Sequence, residues 1–582
     1  MSTATRIVRR PAVADPLPLH TSALANRLLA ARGVTESDAL DFSLGSLPTP
    51  ESLTGIDVAV TRLLQARNTG EHILVVGDYD CDGATSTVVA LSGLTSLGFS
   101  SLDYLVPNRF DMGYGLSPAI VDCACDSNRG AKKPDLILTV DNGVASVDGV
   151  ERARECGIDV VVTDHHLPPA VLPRAVAIVN PNMPDATFPS GNLAGVGVMF
   201  YVLLALRGEL KRRGDRHANT QLAALLDLVA IGTVADVVPL DSVNRVLVEQ
   251  GLRRMRAGYS RPGVQALLRV AGRSIEQTTS ADIGFTLGPR LNAAGRLADM
   301  RAGIECLLSA DESTALRLAL ELDALNRSRR LIEQDMRSDA DQQLQQLSAE
   351  GALGGVPTFA TVLFDPAWHQ GVIGILAGRL KEQLHRPAVV FTADGDTGIK
   401  GSARSIPGVH IRDVLQAIVA HRPGLLEKFG GHAMAAGMSL PRARLAEFSE
   451  AFETEVSRVL QGKLPAREWC TDGALDAAER TLDNALMLQW LMPWGQGLPI
   501  PMFDDVFDVH DSRIVGSGHL KLRVQDAAAG GAVVDAIAFN CQDALQAGDR
   551  VRLVYSLSVN TWRERQSLQL LVNYLELDAA LA

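Results

Sequence analysis

Three short apolar runs, each ending in an acidic turn, constrain the fold of this chain more than any other feature of its sequence. The runs read ILVV before GDYDCDG, LILTV before DNG, and VVVT before DHH. Continuous apolar runs of this length are typical of buried parallel strands. Helical patterns at 84–97 and 150–156 lie between the runs. This alternation predicts an open parallel α/β sheet with helices on both faces.

The acidic turns predict a site, because ligands collect at the carboxyl ends of strands in such sheets. We expect Asp78, Asp80 and Asp82 to alternate along an extended turn, so that neighbouring members face the same side. A lone turn of this kind is more often a solvated acidic loop. Here, however, more ligand-type residues follow apolar runs in the same segment, namely Asp141, Asp164, His165, His166 and Asp236.

Crowded carboxylates repel one another unless cations bind between them. Hard oxygen ligands together with imidazole favour two Mn²⁺ or Mg²⁺ ions over one structural zinc ion. Adjacent side chains at a strand end point to different sides, so we expect one of the two histidines to bind metal and the other to meet substrate. A serine triad fits poorly, since no GxSxG motif lies near the histidines. The glycines of LAGVGVMF lack the spacing of a phosphate-binding loop and are explained by close helix packing.

The rest of the chain predicts further domains. Residues 311–347 form a long helical pattern without proline or glycine, which indicates a rigid connecting helix. A second α/β pattern follows, and short alternating strands after it favour a small β-barrel such as an OB-fold. The predicted boundaries are an N-terminal arm at 1–50, a sheet domain at 51–275, a linker with the long helix at 276–345, a second α/β domain at 346–462 and a β domain at 463–582.

Composition excludes several classes of protein. A chain of 582 residues is too long for one core, and 47% hydrophobic with 21% charged residues is a globular composition. No apolar stretch is long enough to span a membrane, and the N-terminus lacks the apolar region of a secretory signal, so we expect a cytoplasmic protein. The seven cysteines are scattered and contain no CxxC pair. The net charge of −12 argues against bulk electrostatic coating of nucleic acid but permits a local basic channel.

The ordered motifs carry a family resemblance. GDYDCDG, TVDNG, TDHH and ADVVPL resemble the four motifs of the DHH phosphoesterase superfamily. LNAAGRL, WHQGVIGILAGRL, KGSARS and FGGHAMAAG resemble the RecJ family of single-stranded-DNA-specific 5′ to 3′ exonucleases, and the match runs from about residue 70 to 440. The resemblance implies a DHH domain, a DHH-associated second domain and an OB-fold in the β-rich tail.

The resemblance also implies residue roles. It implies that two divalent ions, Mn²⁺ or Mg²⁺, are held by Asp80, Asp82, Asp141, His165 and Asp236. Asp141 would bridge the ions, and His166 would contact the scissile phosphate. Asp78 and Asp164 would orient the ligands.

A pocket for the 5′ end of the strand is implied as well. It would contain Arg296 of LNAAGRL with Ser402 and Arg404 of KGSARS, because the planar guanidinium suits a terminal phosphate. His432 would face the cleft, and Arg109 is a candidate phosphate contact. We expect selection for single strands to come from a cleft between the two α/β domains that is too narrow for duplex.

The resulting hypothesis is an enzyme that hydrolyses single-stranded DNA from the 5′ end to 5′-mononucleotides in recombination and mismatch repair. One alternative is hydrolysis of a small compound such as pyrophosphate, a cyclic dinucleotide or very short RNA. Another alternative is a non-catalytic scaffold that binds single strands. The family further implies single-strand-binding protein and a RecQ-type helicase as partners, and the paired domains within one chain make a monomer sufficient.

Overall fold

The computed structural model of the protein describes residues 5–36, 39–108, 115–126, 132–349, 358–516, 518–541, 543, 545–563 and 565–577. The chain divides into two units. One consists of Met1–Val8 and Leu325–Trp469, and the other consists of Arg9–Ala324 and Cys470–Ala582. The parallel sheet and the C-terminal barrel therefore belong to the same unit.

The strands form a parallel sheet, a mixed sheet, a barrel and a two-stranded ribbon. In chain order they are β1 (Thr5–Arg9), β2 (Ile73–Gly77), β3 (Leu102–Leu105), β4 (Leu136–Val140), β5 (Asp159–Thr163), β6 (Ala177–Val179), β7 (Thr361–Phe364), β8 (Ala388–Asp394), β9 (Gly398–Arg404), β10 (Lys428–Gly431), β11 (Ala435–Pro441), β12 (Arg467–Thr471), β13 (Phe503–Val515), β14 (His519–Asp526), β15 (Gly530–Ala538), β16 (Arg550–Trp562) and β17 (Arg565–Leu577). The ribbon pairs β1 with β12.

The helices range from single turns to a rod of ten turns. In chain order they are α1 (Ala23–Ala30), α2 (Ile56–Thr69), α3 (Cys81–Ser96), α4 (Pro118–Cys125), α5 (Val147–Glu155), α6 (Gly195–Arg212), α7 (Leu226–Ala235), α8 (Ser242–Arg256), α9 (Pro262–Val270), α10 (Ser280–Asp282), α11 (Gly288–Leu297), α12 (Arg301–Leu308), α13 (Glu312–Ala349), α14 (Ile373–Leu384), α15 (Ile411–His421), α16 (Leu445–Val459) and α17 (Leu482–Leu491). A π-helical turn at Ile283–Leu287 connects α10 to α11. None of the described helices is both long and apolar enough to cross a membrane.

The first sheet is parallel throughout and has the strand order β3-β2-β4-β5-β6. All five residues of β2 and of β4 are buried, as their continuous apolar sequences predict. Helices α3, α6 and α7 pack against one another beside the sheet, and α4 packs with α5. The predicted open α/β sheet is confirmed.

The second sheet has the order β10-β11-β9-β8-β7 and combines one parallel pair with three antiparallel pairs. Its core contains three phenylalanine rings in edge and stacked contacts, from Phe391, Phe448 and Phe452. The long helix α13 precedes this sheet in the chain and covers the predicted 311–347 with a shift of one or two residues at its ends. The second α/β domain and the connecting helix are therefore confirmed.

The C-terminal strands close into a barrel in the order β13-β14-β15-β17-β16. Phe503, Phe507 and Tyr555 fill its interior. Leu24 and Leu28 of α1 pack into the same core, so part of the N-terminal segment belongs to the hydrophobic interior of this unit. The predicted OB-type barrel is confirmed.

Candidate active site

The carboxyl ends of three neighbouring strands bring three aspartates side by side. The register aligns Gly77 of β2 with Val140 of β4, and Val140 with Thr163 of β5. The residue that follows each of these is an aspartate: Asp78, Asp141 and Asp164. The acidic turns thus share one edge of the sheet.

Three groups of side chains at this edge are close enough to hold a metal ion. Within each group the ligand atoms lie within 4.8 Å of one another. The groups are Asp141 with His165 and His166, Asp82 with His165 and Asp236, and Asp78 with Asp80 and Asp141. Because Asp141 and His165 each belong to two groups, the seven residues form one continuous centre.

Asp80 and Asp82 enter the centre from the start of a helix. Helix α3 begins at Cys81, and Oδ1 of Asp80 accepts a 3.0 Å hydrogen bond from the N–H of Gly83. Our expectation that Asp78, Asp80 and Asp82 alternate along an extended turn is therefore wrong, because the chain becomes helical after Asp80. The three aspartates divide between two of the groups as a result.

The carboxylate of Asp82 is held by the start of helix α6. Its Oδ2 accepts a 2.7 Å hydrogen bond from the N–H of Gly195, and its Oδ1 accepts a 3.0 Å bond from the N–H of Val196. The positive end of the helix dipole stabilises the negative charge. Burial and the charge of Asp80 outweigh these bonds and raise the pKa of Asp82 to about 7.

Asp141 lies at the middle of the centre in a left-handed backbone conformation, with φ of 62°. Burial and the charges of Asp82 and Asp80 raise the pKa of its carboxyl well above the usual range. Among the described residues its Oδ1 has no hydrogen-bond partner, although Nε2 of His165 lies 3.2 Å away. Such a set of buried carboxylates with imidazole fits Mn²⁺ or Mg²⁺, because a cation removes the repulsion and supplies the missing partner.

Asp164 differs from Asp82, Asp141 and Asp236 because the pKa of its carboxyl is lowered rather than raised. Its Oδ2 accepts a 2.8 Å bond from the N–H of Val144, and its Oδ1 accepts bonds from the N–H groups of His165 and His166. The same Oδ1 lies 2.7 Å from Nδ1 of His166. Burial raises the pKa of Asp164, but the bond and charge of His166 outweigh it and hold this pKa below its usual range. This geometry suits a residue that orients its neighbours.

The contact with Asp164 also favours the protonated form of His166. Burial lowers the pKa of an imidazole, but the hydrogen bond to Asp164 and its charge raise the pKa of His166 to about 9. The rings of His165 and His166 are tilted by 51° with centroids 4.5 Å apart. The two side chains therefore lie beside one another, and both belong to the group that contains Asp141.

Asp236 reaches the centre from the end of a helix. It directly follows α7, and its N–H donates to the carbonyl of Gly232. Its Oδ2 lies 3.5 Å from Nε2 of His165. Burial and the charges of Asp82 and Asp80 raise the pKa of Asp236 well above its usual range. The start of helix α3, the end of helix α7 and three strand ends thus supply the centre.

The candidate 5′-end residues fall in different parts of the chain. Ser402 and Arg404 lie on β9, and Nη1 of Arg404 donates a 3.1 Å hydrogen bond to Oγ of Ser402. Arg404 pairs across the sheet with Ala435, whose carbonyl accepts a 2.8 Å bond from the N–H of His432. These residues belong to one unit, whereas Arg296, on α11, belongs to the other. Arg109 lies outside the described residues.

Comparisons with known proteins agree with this layout. Residues 72–233 match the N-terminal domain of the DHH family, residues 356–458 match the DHHA1 domain, and residues 471–574 match the RecJ OB domain. The single-stranded-DNA-specific exonuclease RecJ of Dickeya dadantii is 48% identical over 99% of this chain and 100% of its own length. The chain belongs to the RecJ family. RecJ of Escherichia coli is also 48% identical, over 96% of each chain.

Solved RecJ structures show the same fold. The crystal structure of Thermus thermophilus RecJ with Mn²⁺ has a TM-score of 0.79 and 29% identity, and the match covers 98% of this chain and 80% of that one. The corresponding Mg²⁺ structure has a TM-score of 0.74. Another RecJ structure bound to manganese matches 71% of this chain with a TM-score of 0.57. The resemblance stated from the motifs is therefore confirmed.

Several residues that build this RecJ centre were missed by the sequence analysis. Oδ1 of Asn292 accepts a 2.8 Å hydrogen bond from the N–H of Cys81, and a Cβ at Gly295 would lie 1.8 Å from the carbonyl of Tyr79. The LNAAGRL motif thus holds the turn that carries Asp80. Its position between predicted helices was visible in the sequence, but only Arg296 was selected from it.

Asparagines that follow the strand ends were missed as well. The side-chain amide of Asn142 donates to the carbonyls of Val76 and Val140 and thereby ties β2 to β4. The amides of Asn180 and Asn182 donate to the carbonyls of His166 and His165 respectively. The DNG and NPN sequences were the available signals, because asparagines after strands commonly satisfy backbone groups.

Proposed function

We propose that the chain is a metal-dependent exonuclease that degrades single-stranded DNA from its 5′ end and releases 5′-mononucleotides. The observation that carries the proposal is the sharing of Asp141 and His165 among three metal-capable groups in a chain of the RecJ family. The RecJ structures bound to Mn²⁺ and to Mg²⁺ support the choice of ions.

The metal ligands in this proposal are the residues Asp80, Asp82, Asp141, His165 and Asp236. Asp141 is proposed as the bridging ligand, because it belongs to two of the groups and its buried Oδ1 has no hydrogen-bond partner among the described residues. Two divalent cations, when bound, supply Lewis-acid activation of water and neutralise charge on the phosphate. The carboxylates then need only fix positions, and backbone N–H groups hold Asp82 for this task.

His166 is proposed to contact the scissile phosphate. With its Nδ1 against Asp164, the ring is fixed and its Nε2 edge is directed away from that carboxylate. A charged imidazole donates a strong hydrogen bond to a phosphate oxygen. The carboxylate of Asp164 therefore serves to orient His166 and to keep it protonated. Asp78 is proposed to orient ligands too, although the structure groups it with Asp80 and Asp141.

Recognition of the 5′ end is proposed for Arg296, Ser402, Arg404 and His432. The contact between Arg404 and Ser402 presents a guanidinium and a hydroxyl together, a combination that suits a terminal phosphate. In this proposal these residues bind the terminal phosphate of the strand, and the products are mononucleotides. The proposed setting is recombination and mismatch repair, with single-strand-binding protein and a RecQ-type helicase as partners.

The test is a time course with Mn²⁺ on single-stranded DNA of several tens of nucleotides, labelled at the 5′ end in one sample and at the 3′ end in another. We expect immediate release of the 5′ label as mononucleotide and gradual shortening of the 3′-labelled strand. Asp141→Ala should abolish both changes. Hydrolysis of pyrophosphate or a dinucleotide with the strand left intact would indicate the small-substrate alternative, and binding without cleavage would indicate the scaffold.

A further inference from the structure

An exposed aromatic ring is carried by a turn that packs against helix α7, and it has no role in the site described so far. Phe285 is 80% exposed, the highest fraction among the large apolar side chains of the described residues. Its neighbours Ile283, Thr286 and Leu287 are buried. The ring is thus held out into solvent by a turn that is otherwise anchored in the core.

The turn that carries Phe285 packs against the end of helix α7. A Cβ at Gly288 would lie 3.2 Å from Cβ of Ala235, and a Cβ at Gly284 would lie 3.6 Å from Cγ1 of Val234. Val234 and Ala235 immediately precede Asp236 in the chain. The turn that carries Phe285 therefore packs against the helix that positions one of the proposed metal ligands.

Two further features mark this surface. The turn is π-helical, and such turns occur mostly as single interruptions of α-helices, frequently at functional sites. Val237, directly after Asp236, is 61% exposed and has a left-handed φ of 62°, a conformation that is a genuine outlier for a β-branched residue. A second apolar side chain is thus held outward directly after a proposed metal ligand, against its backbone preference.

We propose that the ring of Phe285 stacks on a base of the DNA strand bound at the centre, with Val237 extending the apolar contact. This inference rests on the proposed function and adds a positioning residue to it. One ring beside a charged centre is too small for a protein interface, which needs about 800 Å² from each partner. A single strand presents the flat faces of its bases, and each offers a surface for aromatic stacking.

The contact also explains selection for single strands. Bases within a duplex are stacked on one another, and their faces are not available to a side chain. A strand held through Phe285 must be unpaired at that position. Because every base has such a face, the contact does not depend on sequence.

The experiment compares wild type with Phe285→Ala, Phe285→Trp and Val58→Ala on 5′-phosphorylated strands. A series of strands carries one abasic site at each of the first six positions in turn. We expect Phe285→Ala to lower kcat/KM about ten-fold on the intact strand, with Phe285→Trp close to wild type. An abasic site at one of these positions should lower the kcat/KM of the wild type by a similar factor. The same abasic site should cause no further loss of kcat/KM in Phe285→Ala.

Two controls distinguish a lost stacking contact from a disturbed fold. Val58, on α2, is 52% exposed, and its replacement should change nothing. The rise in melting temperature caused by Mn²⁺ should be equal in wild type and Phe285→Ala, and an equal rise shows that the metal centre is intact.

The stacking proposal is overturned if Phe285→Ala degrades the strand with the same kcat/KM as wild type. It is also overturned if, at every position, the loss of kcat/KM caused by the variant multiplies the loss caused by the abasic site. A change of oligomeric state in Phe285→Ala with unchanged kinetics overturns it as well. If wild type itself spares the strand, the proposed function fails instead.

Discussion

The N–H of Gly195 donates a 2.7 Å hydrogen bond to Oδ2 of Asp82, while the same glycine lies against Asp141 on its other side. A Cβ at this position would be 2.6 Å from Oδ1 of Asp141. The backbone of Gly195 thus binds the carboxylate of Asp82, and its lack of a side chain leaves room for the carboxylate of Asp141. The start of helix α6 is therefore part of the centre, although it contributes no side chain.

Gly195→Ala tests this arrangement. The added methyl group must displace Asp141, and displacements of about 1 Å in an active site cost on the order of a hundred-fold in rate. We expect a loss of that size in kcat/KM on a 5′-phosphorylated strand. Gly208→Ala in the same helix is the matched control, because a Cβ there meets nothing within 4 Å. It should keep full activity, and equal activity of both variants would contradict the account.

The sheet and its acidic edge could be predicted from the sequence, but the individual contacts that position the acidic side chains could not. The runs before Asp141 and Asp164 are mostly apolar and almost entirely buried, so their strands and the meeting of their ends follow from burial and parallel pairing. The capping role of Asp80 reverses the pattern expected for an extended turn, and sequence alone did not show where the helix begins. The role of Gly195 depends on a backbone donor and a long-range approach, for which one sequence holds no pattern.

Asp141→Asn should separate stability from function. Asp141 is buried beside other carboxylates, so its charge destabilises the metal-free fold. Asparagine keeps the shape and tolerates the left-handed backbone. We expect the melting temperature of the metal-free protein to rise by about 2 °C or more, the response to Mn²⁺ to shrink, and strand degradation to cease. Asp335→Asn, at an exposed position of α13, is the control. A lower melting temperature for Asp141→Asn without metal would count against the repulsion argument.

Asn292→Ala should loosen the turn before α3. The variant loses the acceptor for the N–H of Cys81, and groups that support metal ligands typically contribute 10–100-fold to metal affinity. We expect the Mn²⁺ concentration for half-maximal activity to rise about ten-fold. Asn573→Ala, at an exposed position of β17, should leave it unchanged. An unchanged Mn²⁺ requirement in Asn292→Ala would show that the turn holds its shape without this bond.

Asp504 should make the stability of its unit depend on pH. It is buried and accepts hydrogen bonds from Arg9, Arg552 and Thr471. Burial raises its pKa, but these bonds outweigh burial and hold the pKa of Asp504 below its usual range. A carboxyl whose pKa is lower in the folded state stabilises the fold at pH values above its unfolded pKa of about 3.9. This stabilisation is lost as the pH falls below that value and through the folded-state pKa.

Asp504→Asn should therefore lower the free energy of unfolding at pH 7 by about 1–3 kcal/mol, as measured by urea denaturation. The difference from wild type should shrink between about pH 5 and pH 3. Asp508→Asn is the control, since the pair of Asp508 with Arg550 is one-third exposed on both sides and contributes little. A difference that stays constant down to pH 3 would contradict the assignment.

We propose that the edge around Asp141 holds two divalent ions. The most direct measurement is anomalous diffraction at the manganese edge from crystals grown with Mn²⁺. The account predicts two peaks about 4 Å apart, one on each side of Asp141 and in contact with the carboxylates and His165. A single peak, or peaks away from Asp141, would contradict the two-ion site.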